Sequence, residues 1–420
     1  MTSSARRGWC PGALRPMQTG DGFLVRLRLT NGVLSFACAR RIAELSRRFG
    51  NGLIDLSARG NMQLRGVGET ALEPLWNELG AMGLLDADAD AEAVRNVIPS
   101  PLAGFDASAI LDARPIVAAL EARLTGEAAL RGLPSKFGFV VDGGGALPLS
   151  GLDADVRFEG YAASERVRLR VRLGDVAVGA VAPERAADAA SAIGRAFLAL
   201  RAEERRMSAL IARVGPAAMT RQAGLEAASD VGPAARRVSP ADVIGVHALG
   251  AKAYVGAAVC FGRLNASELA CLAGRAEARG AAELRLTPWR AVLAVGLEVN
   301  AAHLLAGDLP AFGFLLDASD PRLVIAACPG TPACVSAHAD VRALALRLSP
   351  LFVGHQGRVH VSGCAKGCAH NAKAPVTIVA AREGYDVVVH GLARDAPTVR
   401  GLDVAALETY VRSRLGGARV

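Results

Sequence analysis

NGVLSFACARRIAELSRRFGNGLIDLSARGNMQLRG, residues 31–66, returns without a gap at residues 261–296 as FGRLNASELACLAGRAEARGAAELRLTPWRAVLAVG. At a constant offset of 230, Gly32 falls on Gly262, Leu34 on Leu264, Gly50 on Gly280, Leu56 on Leu286 and Gly66 on Gly296. An ungapped register through five landmarks marks an internal repeat. Each copy reads as an apolar strand, a short Gly loop, a helix (ACARRIAELSRRFG; ASELACLAGRAEARG) and a second strand (LIDLSARGNMQLRGV; ELRLTPWRAVLAVGL). A helix joining two strands is a βαβ-type unit, so each copy is expected in a mixed sheet and the fold class is α+β. The offset also carries Pro99 onto Pro329 and Lys136 onto Lys366. Residues 186–212 read as one helix, and the Gly-, Pro- and charge-rich residues 215–240 as a linker.

Composition narrows the class. A chain of 420 residues, about half of them apolar, is too long for one ordinary domain. The net charge of +8 comes mostly from Arg spread along strands and helices, without a dense tract or aromatic interleaving, so no nucleic-acid partner is expected. Arg pairs carboxylates bidentately, which suits a small polyanionic ligand; a plain solvated basic surface is the bland alternative. No uncharged apolar run reaches the length of a membrane span, and MTSSARRGWCPGALRP has no apolar stretch of a secretory leader. Eight cysteines in this length are no disulfide framework. A cytoplasmic protein without membrane contact is expected.

Four of those cysteines stand in two pairs, Cys328 and Cys334 in CPGTPAC, Cys364 and Cys368 in SGCAKGC. Soft thiolates so spaced suit a [4Fe–4S] cluster or zinc. Structural zinc usually keeps about two to four residues inside each pair, and C-x5-C exceeds that. Cys10 has no paired partner in sequence, and Cys38, Cys260 and Cys271 sit on apolar patterns and read as buried thiols.

CPGTPAC…SGCAKGC resembles the cluster signature of the siroheme-dependent sulfite and nitrite reductase superfamily, and the tandem halves are similar to its pseudo-symmetric architecture. The resemblance implies ferredoxin-like half-domains at 1–80 and 241–310, reductase-like α/β domains at 81–214 and 311–420, and a linker at 215–240. It further implies that Arg59 and Gln63 of DLSARGNMQLRGV, Arg95 and Asn96 of AVRNV, and Lys136 of LPSKF surround tetrapyrrole carboxylates or a bound anion. Arg65, and Arg26 with Arg28 on one strand face, could join them. RGWCPGALRPMQTGDGFLVRLRL, LRLTPWRAVL and HVSGCAKGCAHNAKAP are most similar to the precorrin-3B synthase family within that superfamily. That family implies O2-dependent hydroxylation and γ-lactone closure on precorrin-3A in aerobic cobalamin synthesis.

The likeness also implies a cluster on Cys328, Cys334, Cys364 and Cys368, and a mononuclear non-heme iron. Such iron favours imidazole and carboxylate ligands, so His338, His360 and His370 are candidates, with His370 the best placed after Cys368. Where the reductases carry a second basic residue two positions after the lysine, this chain has Gly138. No G-x-G-x-x-G follows a strand, and GGG at 143–145 reads as a turn. NADH as the ultimate reductant would therefore act through a partner flavoprotein or ferredoxin. The same cysteines also suit a siroheme sulfite or nitrite reductase, or an iron–sulfur electron carrier or redox sensor.

Overall fold

The computed structural model describes residues 10–163, 166–225 and 236–414. The helix Phe36–Phe49 begins where the Ser35 hydroxyl accepts the Cys38 N–H at 3.2 Å. Its repeat mate, Ala266–Ala278, begins at a capping box in which Asn265 accepts the Glu268 N–H at 2.9 Å and Glu268 accepts the Asn265 N–H at 2.7 Å. Side chains that satisfy the free N–H groups of a first turn fix where a helix starts. The two helices pack together, with Ile42, Leu45, Leu269 and Leu272 buried in one core common to both repeats.

Each second strand of the sequence reading is instead a hairpin. Leu53–Leu56 pairs antiparallel with Met62–Val67, and Glu283–Leu286 with Ala291–Leu297. The hydroxyl of Ser57 accepts the N–H groups of Arg59 and Asn61 at 3.2 and 3.1 Å. Thr287 does the same for Trp289 and Ala291, both at 3.3 Å. Each turn then needs a left-handed residue, supplied by Gly60 (φ 66°) and, at the equivalent place, Arg290 (φ 60°).

A second difference changes the architecture. The short strand before each helix leaves its own repeat: Val33–Leu34 pairs with Glu283–Leu286, and Arg263–Asn265 with Leu53–Leu56. The first sheet therefore runs Met17–Thr19, Gly22–Leu27, Met62–Val67, Leu53–Leu56, Arg263–Asn265. The second runs Gly245–Leu249, Lys252–Ala258, Ala291–Leu297, Glu283–Leu286, Val33–Leu34. Each half lends an edge strand to the other.

Two further sheets share one topology. Val97–Pro99, Phe139–Asp142 and Val156–Ala163 run parallel, followed by antiparallel Arg166–Leu173 and Val176–Val181. In the second half Ile325–Ala327, Val359–Ser362 and Ala374–Ala381 are parallel, then Gly384–Gly391 and Val399–Leu402 antiparallel. Ile325 stands 228 residues after Val97, but Val359 only 220 after Phe139. The offset of 230 is thus lost, and Lys136, before its strand, is no counterpart of Lys366, after its strand. The cysteine loops still follow the first and second parallel strands, where cysteine-free loops stand in the first half.

Residues 186–212 form two helices, Ala186–Leu200 and Met207–Val214. They break where Asp155 accepts the Met207 N–H at 2.7 Å and pairs with Arg206 at 3.0 Å. A helix, Pro216–Ala223, opens the stretch read as linker; residues 226–235 of it, and the first residues of RGWCPG, lie outside the described residues. Because the halves exchange strands and share a core, cleavage at a protease site inserted within 226–235 should leave both fragments co-eluting on size exclusion. Separation without denaturant would contradict the exchange.

Candidate active site

Four cysteines stand on the loops that follow two parallel strands, near enough for their charges to act on one another. The N–H of Gly363 donates to the Cys328 sulfur at 3.1 Å, and that of His338 to the Gly363 carbonyl at 2.9 Å. Lys366 donates to the Ser336 hydroxyl at 2.9 Å, and Ser362 to the Cys364 carbonyl at 2.7 Å. The first three of these bonds lace one cysteine loop to the other. Burial, and then the nearby Cys364, Cys328 and Cys334, push the Cys368 thiol up; burial also raises Cys328, against N–H groups of Gly363 and Gly330 that favour its thiolate. Thiols crowded in this way need a cation, and an N–H aimed at a sulfur stabilises the anionic ligand a cluster requires. Among the described residues no three His, Cys, Asp or Glu side chains sit at single-ion spacing. Four thiols, one of them accepting a backbone N–H, have the soft sulfur chemistry that suits a multi-iron cluster.

The first half holds this loop in place. The Gly20 N–H and the Arg65 guanidinium both donate to the Ala333 carbonyl, at 3.1 and 3.2 Å. A Cβ at Gly20 would stand 2.2 Å from the Pro332 carbonyl oxygen, so the approach needs glycine. Beneath lies Asp55, buried, which accepts from Arg263 at 2.7 and 3.0 Å and faces Arg342 at 3.3 Å and Arg65 at 3.8 Å. Burial works to raise the Asp55 carboxyl, yet the Arg263 hydrogen bond and the Arg342 charge hold it below the usual carboxylate range. Burial pushes Arg342 down to about 10, Asp55 opposing and Arg263 and Arg290 adding. Three arginines on one carboxylate leave this region positive.

The sequence-selected residues divide. Arg59, part-buried, donates to the Lys136 carbonyl at 3.1 Å; burial, then Arg206, lowers its pKa. Its guanidinium lies over Gly138, where a Cβ would meet Nη1 at 2.7 Å. Lys136 is exposed and has no ion pair among the described residues. Asn96 pins the same loop, donating to the Ser135 carbonyl at 3.2 Å. Arg26 donates to Gln63 at 3.1 Å, and burial, then Arg28, pushes it down to about 10. Other cations are occupied internally. Arg95 is held by Asp86 at 2.7 and 2.9 Å, Arg65 by Asp21 at 2.7 Å, and Arg28 by Glu92 at 3.0 Å.

Of the three histidines, His338 is exposed and His360 fully buried. The ring nitrogens of His360 find no hydrogen-bond partner among the described residues, and burial, then His370, pushes it down to about 4. His370 packs edge-on to it, ring centroids 5.9 Å apart, and lines a cleft of about 280 Å³. Trp289, Arg290, Arg322 and Arg358 line that cleft too, and Ala58 reaches it from the other half. Sequence reading missed Asp55, Arg290, Arg342 and Arg358; the one available signal was TPWR itself, where Arg replaces the glycine of the first repeat.

Residues 15–82 match the nitrite/sulfite reductase ferredoxin-like half domain. A precorrin-3B synthase of Sinorhizobium sp is 34% identical over this whole chain and 94% of its own length. The chain belongs to the precorrin-3B synthase family. Chloroplastic ferredoxin–nitrite reductases are more distant: that of Betula pendula is 27% identical over 82% of this chain and 65% of its own length. The Mycobacterium tuberculosis NirA structure superposes with a TM-score of 0.75 over 93% of this chain and 79% of its own, at 22% identity, and so shares the fold.

Replacing Asp55 with Asn should lower stability by about 3–5 kcal/mol in urea unfolding at neutral pH, since the largely buried Arg263 and Arg342 lose their counter-charge, while Arg65 keeps Asp21. With a depressed folded-state pKa, the carboxylate stabilises above its unfolded value of about 3.9 and not below the folded one. The difference between the two proteins should narrow as pH falls through about 4; a difference independent of pH would contradict the role.

Proposed function

We propose that this chain is an oxidoreductase that hydroxylates precorrin-3A with O2 and closes the γ-lactone, yielding precorrin-3B in cobalamin biosynthesis. One oxygen atom enters the macrocycle and the other leaves as water, which consumes two electrons and two protons. The observation that carries the reading is the pairing of four convergent thiols with cations that meet no carboxylate, in a chain 34% identical throughout to a precorrin-3B synthase. A [4Fe–4S] cluster on Cys328, Cys334, Cys364 and Cys368 would supply electrons singly. Arg59 and Lys136 bind carboxylate arms and fix the macrocycle's register. Arg95, tied to Asp86 and donating to the Arg28 carbonyl at 3.3 Å, is a positioning residue.

The mononuclear iron finds His370, with His360 beside it, but no set of three protein ligands among the described residues, so no step is assigned to it. Electrons, ultimately from NADH, arrive through a ferredoxin or flavoprotein. Supporting this, Cys368 is exposed, and a groove of about 560 Å³ beside Ala365 carries exposed Arg382, Arg394 and Arg400 against Asp386 and Asp395, a positive balance. Such a basic rim favours an acidic donor.

The test is anaerobic purification, iron analysis and an assay with precorrin-3A, O2 and a reduced donor protein. Four or more irons per chain, no siroheme absorption and O2-dependent product are expected; strong siroheme bands would move the chain to the reductases. Gly138→Lys, which drives Arg59 off the Lys136 carbonyl, should cut kcat/KM at least about tenfold, the loss of one charged hydrogen bond. Unchanged kcat/KM would remove Arg59 from the site.

A further inference from the structure

Gly60 and Arg290 hold the same place in the two hairpin turns, and both are left-handed, φ 66° and 60°. Glycine adopts this conformation freely, whereas a side chain there is strained by about 1–2 kcal/mol. Strain kept where glycine would relieve it points to use. The chain makes room for this arginine, because a Cβ on Gly262 would stand 2.6 Å from Arg290 Cδ.

Arg290 makes no ion pair or hydrogen bond among the described residues. Arg358, exposed at the mouth, donates to the Leu323 carbonyl at 2.8 Å and likewise has no ion pair among them. Arg322, by contrast, is neutralised by Asp320, and Arg263 by Asp55. Burial lowers the pKa of Arg358, and Arg290 lowers it further; burial, Arg358 and Arg290 act the same way on His370. The carboxylate whose charge reaches Arg290 is Asp55, already shared by Arg65, Arg263 and Arg342, so two repelling cations beside one ring, with Trp289 along the wall, await an anion.

We propose that Arg290 and Arg358 form a carboxylate subsite which grips one acetate or propionate arm of the tetrapyrrole from the second half, apart from Arg59 and Lys136 of the first. This rests on the reading of the ligand as a carboxylate-rich macrocycle. The cleft, about 280 Å³, falls short of the ~300–1,000 Å³ that encloses a drug-sized ligand. It takes an arm and the ring edge that bears it, not the whole ring. His370, two residues from Cys368, then brings that edge to the cluster side.

The test uses the iron-loaded full chain and uroporphyrin, a stable carboxylate-rich macrocycle, read by fluorescence quenching, with precorrin-3A turnover alongside. Arg290→Gly should melt at the same or a higher temperature, because glycine suits φ 60°, yet bind about 10–100-fold more weakly, the loss of a charged hydrogen bond of about 1.5–3 kcal/mol. Arg358→Gln should weaken binding in the same direction, and Arg290→Lys should recover only part of it. If the wild type binds and both variants bind equally well, the subsite is wrong and the proposed function stands. If the wild type neither binds uroporphyrin nor converts precorrin-3A, both readings fall.

Discussion

Asp55 is a single buried carboxylate answered by three arginines, and each arginine comes from a different part of the chain. Arg65 lies on the same hairpin, Arg263 on the strand lent by the second half, and Arg342 on the helix Val341–Leu348 behind the first cysteine loop. A charge buried this deeply is tolerated only with close, hydrogen-bonded partners. Asp55 therefore ties the exchanged strand and the cysteine domain to the first half at one point. Arg342 extends the tie by donating to the Cys328 carbonyl at 3.3 Å, so the network ends on the first of the four cysteines.

Strand exchange gives that tie its geometry. Since Arg263 pairs in register with Asp55, the two hairpin turns come face to face, and a Cβ on Gly60 would stand within 4 Å of the Thr287 and Leu286 backbone. One turn turns Arg59 towards the Lys136 loop, and the other turns Trp289 and Arg290 towards His370. A pseudo-symmetric frame thus presents two unlike walls. Duplicated backbones with diverged turn residues suit an asymmetric ligand bearing acidic arms.

Charge balance separates structural from available cations. Arg28, Arg65, Arg95 and Arg322 each meet a carboxylate, while Arg290, Arg358 and Lys136 meet none among the described residues. The first group stabilises the fold; the second is free to bind. Arg290 and Arg358 line the same cleft as Ala369 and His370, which follow the second cysteine loop.

The repeat, both helix starts and the four cysteines were legible in the sequence because they are local: capping boxes, glycine landmarks and loop spacings act over a few residues. The hairpins were hidden because Ser57 and Thr287 build their turns with hydroxyl-to-backbone bonds; Gly60–Asn61 marks the first reversal, but Trp289–Arg290 at the second carries no such turn pair. The false match of Lys136 to Lys366 arose because loops of unequal length shift the register. Which half each short strand joins, which arginines are neutralised, and that Arg290 takes over a glycine's left-handed place in a cleft were decided only in three dimensions. Those outcomes depend on pairings between residues some 200 positions apart, and no local pattern encodes a partner that distant.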